Sequence, residues 1–172
     1  MPTTSLVLTI LGTDRPGLVD SIAATISEHN GNWVESRMAH LAGQFAGILR
    51  VEVEADQAEA LTTAIGALTS TGLESVVHTI PTVPAATTSP VVRLSLTGQD
   101  RPGIVREISR VLATHGVNVE ELNTECRRAP NSGQPLFQAE AQLRLPEGLS
   151  LDTLSEALEQ VATDMMVDIS LE

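Results

Sequence analysis

The chain has 172 residues, 42% hydrophobic and 19% charged, and a formal net charge of −12; its ten basic residues are all arginine. That balance belongs to a folded globular protein, and its acidity repels phosphate backbones and anionic membranes, which argues against direct nucleic-acid or membrane binding. No apolar run approaches a membrane span, no secretory leader is recognisable, and the one cysteine, Cys126, allows no internal disulfide, so a cytoplasmic setting is expected.

From the amino terminus, Leu6, Leu8 and Ile10 alternate with Val7, Thr9 and Leu11, which predicts a strand over Ser5 to Leu11. Gly12-Thr13-Asp14-Arg15-Pro16-Gly17 then turns into a helix carrying Leu18, Val19, Ile22, Ala23 and Ile26 on one face. Asp14 stands where an N-cap is expected and Pro16 in the first helical turn, where a missing N–H costs nothing. His29, Asn30 and Gly31 close the helix. Two strands, Trp33 to Leu41 and Phe45 to Glu54, follow as a hairpin about Ala42-Gly43-Gln44. Asp56 with Glu59 three residues on reads as a capping box for a second helix with Leu61, Ile65 and Leu68 inward, and Glu74 to Ile80 supplies a fourth strand. The order is βαββαβ.

Pro81, Pro84 and Pro90 mark a linker over residues 81–90, after which the order repeats. Val92, Leu94 and Leu96 alternate in a strand, and Ile104, Val105, Ile108, Val111 and Leu112 give a helical face. Val119 to Arg127 and Leu136 to Leu145 form a hairpin with a longer loop. Ser150 caps a helix with Leu154, Ala157, Leu158 and Val161 inward, and Met165, Val167, Ile169 and Leu171 alternate along the closing strand. Residues 1–80 and 91–172 are thus predicted to be two α+β domains of the ferredoxin-like kind, each an antiparallel sheet with its helices on one face. The free face is expected to be wet in the second domain. In the first, Val7, Leu11, Ala46 and Ile48 fall on that face, so a partner is expected there.

The turn Gly12-Thr13-Asp14-Arg15-Pro16-Gly17-Leu18-Val19 returns, 86 residues later, as Gly98-Gln99-Asp100-Arg101-Pro102-Gly103-Ile104-Val105. Over Gly12 to Glu35 and Gly98 to Glu121 ten of 24 positions are identical, among them His29/His115 and Asn32/Asn118. Helix-start architecture explains Asp, Pro and Gly about as well as ligand binding does. The asparagines, at the start of the second strand, are too far from the aspartate of their own repeat to touch it and are harder to assign to architecture. A helix start with bare N–H groups holds an anion.

These residues resemble the ACT domain, a small-molecule regulatory module of amino-acid metabolism, and the resemblance covers both halves. Two such domains resemble, in particular, the glycine cleavage system transcriptional repressor group, through Asn32-Trp33-Val34-Glu35-Ser36-Arg37. The resemblance implies a small amino acid, glycine first, held between paired domains, with Asp14 working with Asn118 and Asp100 with Asn32. The implied ligand-binding set is Gly12, Asp14, Arg15, Pro16, Gly17, Leu18 and Asn32, with Gly98, Asp100, Arg101, Pro102, Gly103, Ile104 and Asn118. An ammonium would suit the aspartates and a carboxylate the helix start.

No nucleophile motif, phosphate loop or metal-ligand spacing is present, so no catalytic residue, metal or cofactor is expected and the chain is read as non-catalytic. His29 and His115 suit the ends of their helices, and Cys126 is expected to be packed and inert. Such a protein would control transcription through a protein partner, a DNA-binding activator first, and would self-associate. The alternative is a detached ACT regulatory or structural subunit of an amino-acid-metabolism enzyme complex.

Overall fold

A computed structural model describes residues 2–81, 85 and 87–172. The chain divides into two compact units, residues 1–85 and 86–172. In the first, the order is β1 (Thr3–Thr13), α1 (Leu18–Glu28), β2 (Asn32–Leu41), β3 (Gln44–Glu54), α2 (Ala58–Ala67) with a short 3-10 turn, and β4 (Leu73–Ile80). The second repeats it as β5 (Val91–Gln99), α3 (Ile104–Thr114), β6 (Asn118–Arg128), β7 (Pro135–Arg144), α4 (Leu151–Met165) and β8 (Val167–Leu171). Both sheets are antiparallel, ordered β2-β3-β1-β4 and β6-β7-β5-β8. The βαββαβ expectation holds in both units.

Alternation decides which side of each strand is buried. Leu6, Leu8 and Ile10 of β1 and Leu49, Val51 and Val53 of β3 meet Leu18, Ile22, Ile26, Leu61 and Ile65 from the helices. The second core repeats this with Leu94, Leu96, Ala139, Ala141 and Leu143 under Ile104, Ile108, Leu112, Leu154 and Leu158. Val19 and Val105, apolar at helical spacing, are exposed instead, on the flank of each helix beside the core stripe.

The β2–β3 connection is a two-residue turn with Ala42 and Gly43 both at positive φ, 49° and 80°, the turn whose twist matches the strands it joins. Within the predicted linker, Thr82, Val83, Pro84 and Ala86 lie outside the described residues. Its far end is fixed to the second unit: Arg144 donates to the carbonyls of Thr87 and Ser89, at 3.3 and 3.0 Å.

The capping expectations divide. Ser150 caps α4, its Oγ accepting from the Thr153 N–H at 3.1 Å. Asp14 and Asp100 cap nothing: the N-cap positions of α1 and α3 are Gly17 and Gly103, with no side-chain cap, so both prolines sit in the turn before the helix. The reason is the backbone, since Gly17 and Gly103 take φ of 88° and 96°, and that left-handed step turns the aspartate three residues upstream away from the helix N–H groups. The Asp56–Glu59 capping box is absent too; Gln57 is the N-cap of α2, without a side-chain cap, and its own N–H is taken by the Glu54 carbonyl.

Candidate functional site

Each Gly-x-Asp-Arg-Pro-Gly turn lies where the first strand of a unit passes into its first helix, next to the hairpin end. The Asp14 N–H donates to the Gly43 carbonyl at 2.9 Å and the Asp100 N–H to the Pro135 carbonyl at 3.1 Å, which pins each turn to the neighbouring hairpin. The aspartate side chains are exposed, with no capping duty. Three residues on in sequence, α1 and α3 begin at Gly17 and Gly103 without a side-chain cap.

The rest of each turn is shaped by backbone demands. A Cβ on Gly12 would lie 2.9 Å from the Gly72 carbonyl oxygen, and one on Gly98 would collide with Val167 of β8, so close strand approach explains glycine at both places. Leu18 and Ile104 point into the cores and can offer a ligand only their backbone. Pro16 and Pro102 are exposed in the turns. Arg15 donates to the Thr71 carbonyl at 2.8 Å and so braces the loop before β4; Arg101, its counterpart, is half-buried.

Asn32 opens β2 opposite Glu52, whereas Asp14 follows the strand end where Thr13 faces Gln44. The two therefore lie at opposite ends of one sheet, and so do Asn118 and Asp100, as expected. Asn118 is exposed and donates from Nδ2 to Glu120 at 2.7 Å. His29 and His115 cap the C-terminal ends of α1 and α3, each with Nδ1 2.9 Å from a carbonyl oxygen of the preceding turn, which bears out their structural reading.

Sequence reasoning missed one neighbour in each unit. His40 places Nε2 3.6 Å from the Asp14 carboxylate, an ion pair when the imidazole is charged. Cys126, 86 residues on and thus at the matching position, is exposed rather than packed, and its thiol donates to Asp100. Local desolvation, the Asp100 charge and that hydrogen bond together hold the thiol above its ordinary range. The signal was in the repeat: an offset of 86 carries Asp14 to Asp100 and His40 to Cys126 alike.

One unit also shows an open edge. The strand β6 is exposed along its whole length, and between it and α3 runs an apolar groove lined by Val105, Ile108, Leu112, Val119, Leu122 and Phe137. Its equivalent β2 is largely exposed as well. No group of His, Cys, Asp or Glu that could hold a metal occurs among the described residues.

The ACT domain family signature matches residues 4–76 and again residues 92–137. The chain belongs to the ACT-domain family. Its two units stand in tandem, each with the family's ferredoxin-like fold. Along 164 residues, 93% of this chain and 85% of the relative, it is 24% identical to the glycine cleavage system transcriptional repressor of Escherichia coli strain K12. A crystal structure of a protein of unknown function from Galdieria sulphuraria is 31% identical, with a TM-score of 0.88 over 99% of this chain and 98% of that one. A second crystal structure, of a candidate glycine cleavage system transcriptional repressor, shares the fold at 20% identity, with a TM-score of 0.72 over 100% of this chain and 98% of that one.

Proposed function

We propose that this protein is a non-catalytic regulator that binds a small amino acid, glycine first among candidates, between paired ACT units and controls transcription indirectly through a protein partner. The observation that carries the reading is the pair of carboxylates, Asp14 and Asp100, exposed three residues ahead of uncapped helix starts and not engaged in capping. An amino acid offers an ammonium to such a carboxylate and a carboxylate to such N–H groups.

Pairing supplies the second half of each site. When two units join edge to edge with β2-type strands antiparallel, the start of one strand faces the end of the other. Between two copies of the chain, Asn118 of one would then come toward Asp14 of the other, and Asn32 toward Asp100. Exposed edges at β2 and β6 support such pairing. The likeness to the Escherichia coli repressor over 93% of the chain supports the regulatory role. A net charge of −12 without a lysine favours an indirect route to DNA, through a DNA-binding activator.

Calorimetric titration with glycine and then the other amino acids tests this. Asp14→Asn and Asp100→Asn should each remove a charge-assisted contact, on the order of 1.5 to 3 kcal/mol, while leaving the melting temperature unchanged because neither residue caps a helix. Affinity equal to wild type in both variants, or no heat with any amino acid, would refute the site.

A further inference from the structure

A sheet covered by helices on one side ordinarily turns a polar second face to water. The second unit does so with Arg93, Asn123, Glu125, Arg127, Gln138, Glu140 and Gln142, including an Arg93–Glu140 pair at 2.6 Å. The first does not. Read across β2-β3-β1-β4, its open face has the rows Ala39-Ala46-Leu11-Glu74, Arg37-Ile48-Thr9-Val76 and Glu35-Arg50-Val7-His78. Leu11, Ile48 and Val76 are 44%, 56% and 55% exposed. Leu11 and Ile48 lie on the two central strands and Val76 on the β4 edge between Glu74 and His78, while β2 carries Glu35 and Arg37.

We propose that this face packs against the same face of a second copy of the chain, sheet on sheet, about a two-fold axis parallel to the strands between β1 and β3. The exposed apolar side chains are the first argument, because an apolar sheet face is covered by a second sheet in aligned packing, the two layers about 10 Å apart. Charge chooses the copy and the axis. A two-fold along the strands lays each β2 over the partner's β4 and each β3 over the partner's β1. Glu35 then faces the partner's His78, and Arg37 lies over the partner's Val76, one row from the partner's Glu74 and within diagonal reach of it. Each pairing occurs twice.

Within the chain, Arg37 is held only by Glu35, at 3.0 Å with both well exposed, and Glu74 has no ion pair among the described residues. An axis across the strands would instead stack Arg37 on its own copy. The apolar middle is complementary too, since small Ala46 meets the partner's Leu11 and Ile48 meets the partner's Thr9.

Four strands about 4.8 Å apart and about seven residues at about 3.4 Å give a face of about 19 by 24 Å. That is smaller than the roughly 800 Å² per partner of a standard interface, so the dimer is concentration-dependent rather than permanent. The inference does not rest on amino-acid binding.

Sedimentation velocity of the full chain from about 1 to about 300 µM, the range where such an interface dissociates, is the experiment. The wild type should shift from monomer toward dimer. Ile48→Glu, at an exposed position, should remain a monomer with unchanged circular dichroism. Arg37→Glu should weaken the dimer by tenfold or more, and Arg37→Glu with Glu74→Arg should restore it. Gln142→Glu on the second unit's face should change nothing, and Asp14→Asn should associate as wild type, which separates this outcome from failure of the ligand site. The proposal is overturned if Ile48→Glu dimerises like wild type, or if wild type is monomeric throughout. It is equally overturned if Leu122→Glu on the β6 edge abolishes association and Ile48→Glu does not.

Discussion

The two units are built on one pattern, and position-by-position comparison separates what the fold requires from what each copy has made its own. Shared by both are glycine in left-handed backbone before the helix, glycine packed against the start of the last strand, and an aspartate tied by its N–H to the hairpin end. Not shared are the residue beside that aspartate, His40 against Cys126, and the open face of the sheet, apolar in one unit and polar in the other. Backbone geometry is what the repeat keeps. Side chains reaching outward are where the copies diverge, and a difference there alters what each unit can bind without altering how it folds.

A cavity opened at one matched position at a time shows whether the two cores are independent. Leu8 and Leu94 are equivalent, 86 residues apart and 0% and 2% exposed. Leu8→Ala and Leu94→Ala should each cost about 2 to 5 kcal/mol, and calorimetry should show only the substituted unit's transition moving. If one transition contains both units and both variants shift it equally, the two cores do not melt independently and the comparison must be made on the whole chain.

A smaller effect sharpens the shared part. Gly17→Ala and Gly103→Ala meet no atoms within 4 Å of the added Cβ, so their whole cost is the left-handed backbone at φ of 88° and 96°. That should be about 1 to 2 kcal/mol, and the same in both copies. A loss in one copy alone would mean that the two turns, alike in sequence, carry different strain; chemical denaturation of each variant decides it.

Much of this fold was legible in the sequence because its signals are strong and local. Period-two alternation in Leu6-Leu8-Ile10 and Leu94-Leu96 and helical spacing in Leu18-Ile22-Ile26 assign buried faces without any long-range information. The caps were not legible. Asp14 and Asp56 have the right residue type at nearly the right place, but a left-handed glycine after one and a turn after the other shift the helix start beyond their reach. Val19 and Val105 carry the helical period yet lie on a flank the core does not cover.

The candidate site was half legible for a related reason. The repeat marks Asp14 and Asp100, whereas His40 and Cys126 become their neighbours only through the register of three strands, in which His40 faces Phe45 and Phe45 faces Gly12. No local pattern reports such a contact. The apolar outer face of the first unit was visible at Leu11 and Ile48, but Val76 joins it only once β4 is paired in register with β1.

The smallest expected effect tests the contact that sets the copies apart. Cys126 is exposed, yet desolvation, the Asp100 charge and the hydrogen bond to Asp100 raise its pKa, so at neutral pH less of it is the reactive thiolate than for an unperturbed thiol. Alkylation by iodoacetamide should be slow near neutrality and should rise at higher pH than usual. Asp100→Asn removes the charge and the acceptor carboxylate, so the thiol ionises more easily. The rate at neutral pH should increase a few-fold, and the two proteins should converge at alkaline pH, where both thiols are ionised. In the first unit, His40→Cys in a Cys126→Ser background sets a thiol beside Asp14 as Cys126 stands beside Asp100. If the turns are geometrically equivalent, this thiol shows the same slow, Asp-dependent profile, relieved by Asp14→Asn. A profile like that of an unperturbed thiol would mean that the carboxylates of the two copies point differently, and that likeness of backbone does not extend to the aspartates themselves.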